Sequence, residues 1–191
     1  MLKSLRRLKL VPLLTLAVFA LTLPAAASGG SAGGVGPGTT DPEDAPAPVA
    51  GERAKLLPSG LAAAPESAPA KVKRAIAAAN SIDDAGYCMG GGHGKERCYD
   101  CSGTASYVLG PKGADVLEAP LPSGDFRKWG ERGRGGWITA YYNSGHMYLV
   151  IAGLRFDTSQ PDDGAAGPGW SKDVKAGLVN GPFKKRYHPG L

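Results

Sequence analysis

The abrupt change in composition near residue 70 sets the strongest limit on what this chain can fold into. Residues 29–70 consist mostly of Gly, Ala, Pro and Ser. The larger aliphatic residues in that stretch are Val35, Val49, Leu56, Leu57 and Leu61. Because so little apolar surface cannot offset the entropy of ordering the chain, we expect 29–70 to be a flexible linker. The remaining part, 71–191, is long enough for one small domain with a single core.

The first 28 residues have the pattern of an export signal. A basic start is followed by an apolar run over 10–23 and by the small residues Ala25, Ala26 and Ala27, as at a signal cleavage site. The apolar run is short for a membrane span. We therefore expect a signal peptide over 1–28 and a product that is secreted or cell-wall associated, without stable membrane insertion after cleavage.

The charge of the chain argues against a nucleic-acid partner. The net charge is +5, and over 71–191 sixteen basic residues face twelve acidic ones, which leaves +4. These charges are scattered, whereas nucleic-acid binding proteins usually present a clustered basic face. The short basic run at 184–186 is interpreted as a solvated terminus.

The pattern of secondary structure over 71–191 predicts two helices followed by strands. Apolar residues at helical spacing predict a helix over 71–82, and a second helix is expected over 101–109 with Asp100 as its N-cap. Runs rich in β-branched and aromatic residues predict three strands, over 137–142, 146–153 and 155–159. The residues at 143–145 suit a short hairpin turn between the first two. Two helices followed by an antiparallel meander define an α+β fold.

Three residues carry the parts of a cysteine nucleophile site. Cys101 begins the second predicted helix, where the amide-rich terminus favours a thiolate. His146 begins a predicted strand, and Asp157 lies in the next one. A thiol, an imidazole and a polar group that orients the imidazole are the elements of nucleophilic catalysis. Their order along the chain is the one found in papain-like enzymes.

These motifs together make residues 71–191 resemble the NlpC-type (NlpC/p-sixty) cell-wall cysteine peptidases. That family has a Tyr-x-x-Gly-Gly stretch, then Asp-Cys-Ser-Gly, then a histidine on a strand and a third polar residue. The corresponding residues here lie at 87–91, at 100–103, and at His146 and Asp157, although the family commonly has His where Asp157 stands. Leu121-Pro122 also matches a Leu-Pro that the family places before its sheet.

The resemblance implies a papain-like small domain whose nucleophile, at a helix N-terminus, packs on an antiparallel sheet. It implies a monomer that hydrolyses an amide bond in peptidoglycan peptide stems, through a thioester acyl-enzyme and without metal or cofactor. By position, Cys101 is the nucleophile, His146 the base and Asp157 the residue that orients it. Tyr87 and Ser102 are expected on the oxyanion or substrate side.

Other interpretations of the cysteines stay open at this point. Cys88 and Cys98 could form a disulfide and leave Cys101 as the free thiol. Alternatively, Cys88, His93, Cys98 and Cys101 could hold zinc in a non-catalytic wall-binding module. An inactive peptidoglycan binder, or an acyltransferase that uses the same thiol chemistry, is also compatible with the sequence.

Overall fold

The computed structural model describes residues 45–93, 97–159, 164, 166–175 and 181–191. The predicted signal peptide and the first part of the predicted linker, up to residue 44, lie outside the described residues. In the described part of the chain, no helix is both long enough and apolar enough to cross a membrane.

The helices are α1 (Ala70–Ser81) and α2 (Cys101–Leu109), with a short 3-10 helix at Ser123–Lys128. The strands are β1 (Lys55–Leu56), β2 (Ala62–Ala63), β3 (Gly86–Tyr87), β4 (Cys98–Tyr99), β5 (Glu131–Arg132), β6 (Ile138–Tyr142), β7 (Met147–Ile151), β8 (Leu154–Asp157), β9 (Gly169–Ser171) and β10 (Lys184–Tyr187). Both predicted helices and all three predicted strands are therefore present, with ends that differ by two residues or fewer from the predicted ones.

A six-stranded antiparallel sheet forms the body of the structure, in the order β5-β10-β6-β7-β8-β9. In the central hairpin, Tyr142 pairs with Met147 and Ile138 with Ile151. The next hairpin continues the meander, because β7 pairs antiparallel with β8. The expected combination of helices with an antiparallel meander, an α+β arrangement, is confirmed.

Helices α1 and α2 pack against each other and against strand β7. The buried face of α1 carries Val72, Ile76 and Ala79, whose spacing places them on one side of the helix. Burying a side chain of the size of Ile76 stabilises the fold by about 1.5–3 kcal/mol. This packing brings the start of α2, where Cys101 lies, close to the start of β7, where His146 lies.

The structure differs from the expected linker over residues 45–69. Strands β1 and β2 form a hairpin, Ala62 and Ala63 are buried, and the backbone of Ala62 exchanges hydrogen bonds with the Asn80 side chain on α1. Small alanine side chains need little space in the core. Backbone hydrogen bonds add stability that the small apolar surface alone does not provide. Neither contribution can be predicted from the residue composition alone.

The basic run at 184–186 also differs from its prediction as a solvated terminus. It belongs to β10, which pairs with β5 on one side and with β6 on the other. Lys184 is exposed, whereas Lys185, Arg186 and Tyr187 are half-buried. A polar run of this kind carries no strand signal of its own, so its pairing depends on the strands beside it.

Candidate active site

Cys101 is the first residue of α2 and is a half-buried free thiol. Asp100 is the N-cap, and its side chain accepts a hydrogen bond from the backbone N–H of Gly103 at 2.7 Å. The first N–H groups of a helix have no partner inside the helix, and the helix dipole adds partial positive charge there. The predicted cap is confirmed, and the sulfur lies where a negative charge is favoured.

Asp100 connects the nucleophile helix to the glycine-rich loop before it. One carboxylate oxygen accepts from Gly103 and from the Ser102 hydroxyl at 2.9 Å, and the other accepts from the N–H of Gly90 at 2.8 Å. His93 lies 3.5 Å from the first oxygen. Burial by itself raises the pKa of Asp100, but these hydrogen bonds and the His93 charge lower it overall. The carboxylate is therefore ionised at neutral pH.

The glycine loop and the helix approach each other so closely that side chains are excluded. A Cβ at Gly103 would collide with the Gly91 carbonyl oxygen and the Gly92 Cα, and a Cβ at Gly92 would collide with Gly103 in return. A disulfide between Cys88 and Cys98 closes the loop. The glycines of the two motifs are thus needed for one contact between them.

The disulfide decides between two interpretations of the cysteines. Cys88 and Cys98 are bonded to each other, so neither sulfur is available as a thiolate ligand. His93 contacts the Ser102 hydroxyl at 3.1 Å instead. The four-ligand zinc alternative therefore loses two of its ligands, and Cys101 remains as the free cysteine.

His146 is held in place by the turn between β6 and β7. The Asn143 side-chain oxygen accepts hydrogen bonds from the backbone N–H of Gly145 at 2.9 Å and of His146 at 2.8 Å. The Asn143 N–H donates to the His146 carbonyl at 2.9 Å, which closes the hairpin. Asparagine is favoured in turns because its side chain can bond backbone groups of this kind. The predicted hairpin is confirmed.

Asp157 binds the ring of His146 from one side. The His146 Nε2 lies 2.8 Å from the Asp157 Oδ1, and both side chains are buried. The same oxygen accepts from the backbone N–H of Thr158 at 2.7 Å. The Cys101 side chain is also a hydrogen-bond partner of the ring. Because Nε2 faces the carboxylate, Nδ1 is the nitrogen left for the sulfur, and the three predicted catalytic residues are brought together.

The electrostatics of the site keep His146 protonated at neutral pH. Burial by itself lowers the pKa of the ring, but the hydrogen bonds and charges of Asp157 and Cys101 raise it to about 9. A protonated imidazole beside a thiol stabilises the thiolate form of that thiol. The arrangement can therefore hold a thiolate–imidazolium pair.

Two further residues contact the site and are not among those predicted from the sequence. The Ser159 hydroxyl lies 2.9 Å from Asp157 Oδ2 and 3.3 Å from His146 Nε2, so it contacts both members of the pair. Ser159 follows Asp157 by two residues, and the two-residue period of an extended chain could have indicated it. The ring of Phe183 packs edge-on against the His146 ring, with centroids 6.1 Å apart. No sequence signal points to that long-range contact.

Tyr87 and Ser102, the other predicted site residues, differ in their surroundings. Tyr87 is 46% exposed, and its pKa is raised by partial burial and by the nearby charges of Cys101 and Asp100. Its side chain thus lies on an accessible side of the nucleophile. The Ser102 hydroxyl is buried and donates to Asp100. An oxyanion or substrate role for either residue stays a prediction.

Comparison with known proteins adds no assignment. A scan against protein-family models found no match for this chain, and a search of curated proteins found none either.

Proposed function

We propose that this protein is an exported cysteine peptidase with a papain-like arrangement that hydrolyses an amide bond in peptidoglycan peptide stems. The observation that carries the proposal is the contact of His146 with both Cys101 and Asp157, at the start of helix α2. The predicted export signal and the resemblance of the motifs to cell-wall peptidases support the choice of substrate.

The first half of the reaction forms an acyl-enzyme. The Cys101 thiolate attacks the carbonyl carbon, and the carbonyl electron pair moves to oxygen. The N–H groups at the start of α2 can donate to this oxyanion. Protonated His146 gives its proton to the leaving nitrogen as the C–N bond breaks, which leaves a thioester and a neutral imidazole.

The second half of the reaction regenerates the thiolate. Neutral His146 takes a proton from water, and the water oxygen attacks the thioester carbon. Collapse of this intermediate breaks the C–S bond and releases the carboxylic acid. Asp157 keeps the ring in one orientation through both steps and stabilises its positive charge.

The proposal is tested by digestion of purified peptidoglycan with mature wild-type protein and with the Cys101→Ala variant. Products are identified by mass spectrometry. We expect new muropeptides from the wild type alone, with the cleaved bond identified by their masses. Because Cys101 is only half-buried, the variant should keep a melting temperature within a few degrees of wild type. Equal product release by both proteins, or none by either, would contradict the peptidase assignment.

A further inference from the structure

A concave site lies beside strands β6 and β7, and none of the three proposed catalytic residues is among its lining residues. Its volume is about 560 Å³, within the range typical of small-ligand sites. The residues that matter here are Glu52, Arg53, Arg134, Trp137, Thr139 and Val150. We refer to the site formed by these residues as the arginine cleft.

The two arginines come from distant parts of the chain, and neither has a partner in the part of the chain that the structure describes. Neither Arg53 nor Arg134 makes a hydrogen bond or an ion pair with any described residue. By contrast, Arg127 pairs with Asp125 at 3.0 Å. Among the described residues that line the cleft, Glu52 is acidic and Arg53 and Arg134 are basic, so these residues carry a net positive charge. Two guanidinium groups that no described residue pairs suit an anionic ligand.

The indole N–H of Trp137 also differs from those of the other two tryptophans in its hydrogen bonding. Trp129 donates its ring N–H to the Val116 carbonyl at 3.1 Å, and Trp170 donates to the Asn80 side chain at 2.9 Å. The Trp137 N–H has no hydrogen-bond partner among the described residues. Since a tryptophan N–H is a donor only, the cleft gains another group that a ligand oxygen can satisfy.

The side chain of Arg53 has a defined place at the cleft. The following residue is fixed to the sheet, because the Ala54 N–H donates to the Ala152 carbonyl at 2.9 Å. A Cβ at Gly153 would lie 3.0 Å from the Arg53 Nη1, so the guanidinium extends over the turn between β7 and β8. Gly153 has φ +90°, which favours glycine for the turn itself. The glycine therefore permits both the turn and the position of the arginine.

The arginine cleft and the catalytic pair are connected through a row of aromatic rings. Tyr141, which lines the cleft, stacks on Tyr148 at 4.7 Å, and Tyr148 contacts Phe183 at 5.0 Å. Phe183 in turn packs on the His146 ring. Val150 lies on β7, four residues after His146, which corresponds to about 13 Å at the rise of a β-strand. A wall polymer longer than that distance can contact both places.

We propose that the arginine cleft binds carboxylates of the cell-wall peptide outside the bond that is cleaved. This inference rests on the proposed function, which supplies a peptide polymer as substrate. Planar carboxylates match the guanidinium fork and accept from the indole N–H. Phosphate presents similar oxygens, so the experiment removes it from the probe.

The experiment measures binding to sacculi by co-sedimentation, in a Cys101→Ala background that separates binding from turnover. The sacculi are first treated with hydrofluoric acid to remove phosphate polymers. The test variant is Arg53→Gln/Arg134→Gln. The control, Lys112→Gln/Arg132→Gln, removes equal charge from exposed positions outside the cleft. Urea unfolding of both variants checks that the fold is intact.

We expect the test variant to bind about tenfold more weakly than the control, the effect of losing about 1.4 kcal/mol. Sacculi whose carboxylates have been converted to neutral amides should bind the parent as weakly as the test variant. Equal binding by test and control variants, undiminished binding to amidated sacculi, or no binding by the parent would overturn the proposal. Arginine-dependent binding by a wild-type protein that releases no muropeptides would instead contradict only the peptidase function.

Discussion

The substitution Asp157→Asn isolates the charge that holds His146 in its protonated form. The side chain keeps its size and the oxygen that accepts from Thr158, but the negative charge beside the ring is lost. In the wild type the pKa of His146 is about 9, against 6.5 for an ordinary histidine. At about 1.4 kcal/mol per pKa unit, this rise corresponds to roughly 3 kcal/mol in favour of the charged ring.

The consequence for stability follows from the direction of the pKa change. Because the folded-state pKa is raised, the folded protein binds more protons than the unfolded chain between pH 6.5 and about 9. The stabilising contribution is complete below pH 6.5 and is lost as the pH rises through about 9. Urea unfolding at pH 6 and at pH 9.5 should therefore show a larger loss of stability in the wild type than in Asp157→Asn.

The direct assay is an NMR titration of the His146 ring. We expect a midpoint near pH 9 in the wild type and one roughly 2 pH units lower in Asp157→Asn, the size expected when an opposite charge in contact is removed. Asp173→Asn, which removes an exposed carboxylate, is the matched control and should leave the midpoint unchanged. Midpoints within about half a pH unit in the wild type and Asp157→Asn would refute the assigned role of Asp157.

Catalytic activity should also fall when the protonated form of His146 is lost. In Asp157→Asn the ring is largely neutral at pH 8, so the thiolate loses its partner, and kcat/KM should fall by roughly tenfold or more. His146→Ala should cost much more, because it removes the proton donor itself. Equal losses in Asp157→Ala and His146→Ala would mean that Asp157 does more than orient the ring.

Two further substitutions test the supports of the site. Gly103→Ala would force a methyl group into the backbone of Gly91 and should destabilise the protein by about 1–3 kcal/mol in urea unfolding, whereas Gly124→Ala, with no atom near its Cβ, should be close to neutral. Similar unfolding midpoints for the two variants would contradict the close approach. Ser159→Ala removes a 2.9 Å hydrogen bond to Asp157 and should lower kcat by roughly threefold to tenfold, about 1 kcal/mol, and an unchanged kcat would leave Ser159 without a positioning role.

The elements that the sequence predicts well are those fixed by local chemistry. Asp100 caps α2 through its own neighbours, and Asn143 folds the hairpin before His146 through bonds within three residues. The periodicity of α1 and of the meander is equally local. Once these elements are placed, the antiparallel meander allows few arrangements of them. The start of α2 then lies close to His146, which immediately precedes β7.

The elements that the sequence does not predict depend on partners far along the chain. Strand β10 has a basic sequence, and it forms by pairing with β5 on one side and with β6 on the other. Residues 45–69 are ordered by contacts such as that of Ala62 with Asn80, eighteen residues away. Phe183 contacts His146 because it directly precedes β10, whose pairing brings the C-terminal part of the chain to the sheet. None of these contacts leaves a local pattern that periodicity or composition could detect.

The structure also changes how the motif at 100–103 supports a catalytic function. Asp100 caps the helix and holds the glycine loop, Ser102 donates to Asp100, and Gly103 permits the loop to approach. These three residues have packing tasks that would remain in a protein without catalysis. A chain with this motif but no partner for Cys101 would still fold in the same way locally. The functional proposal therefore depends on the contact between Cys101 and a protonated His146, and the titration of that ring tests it more directly than the motif does.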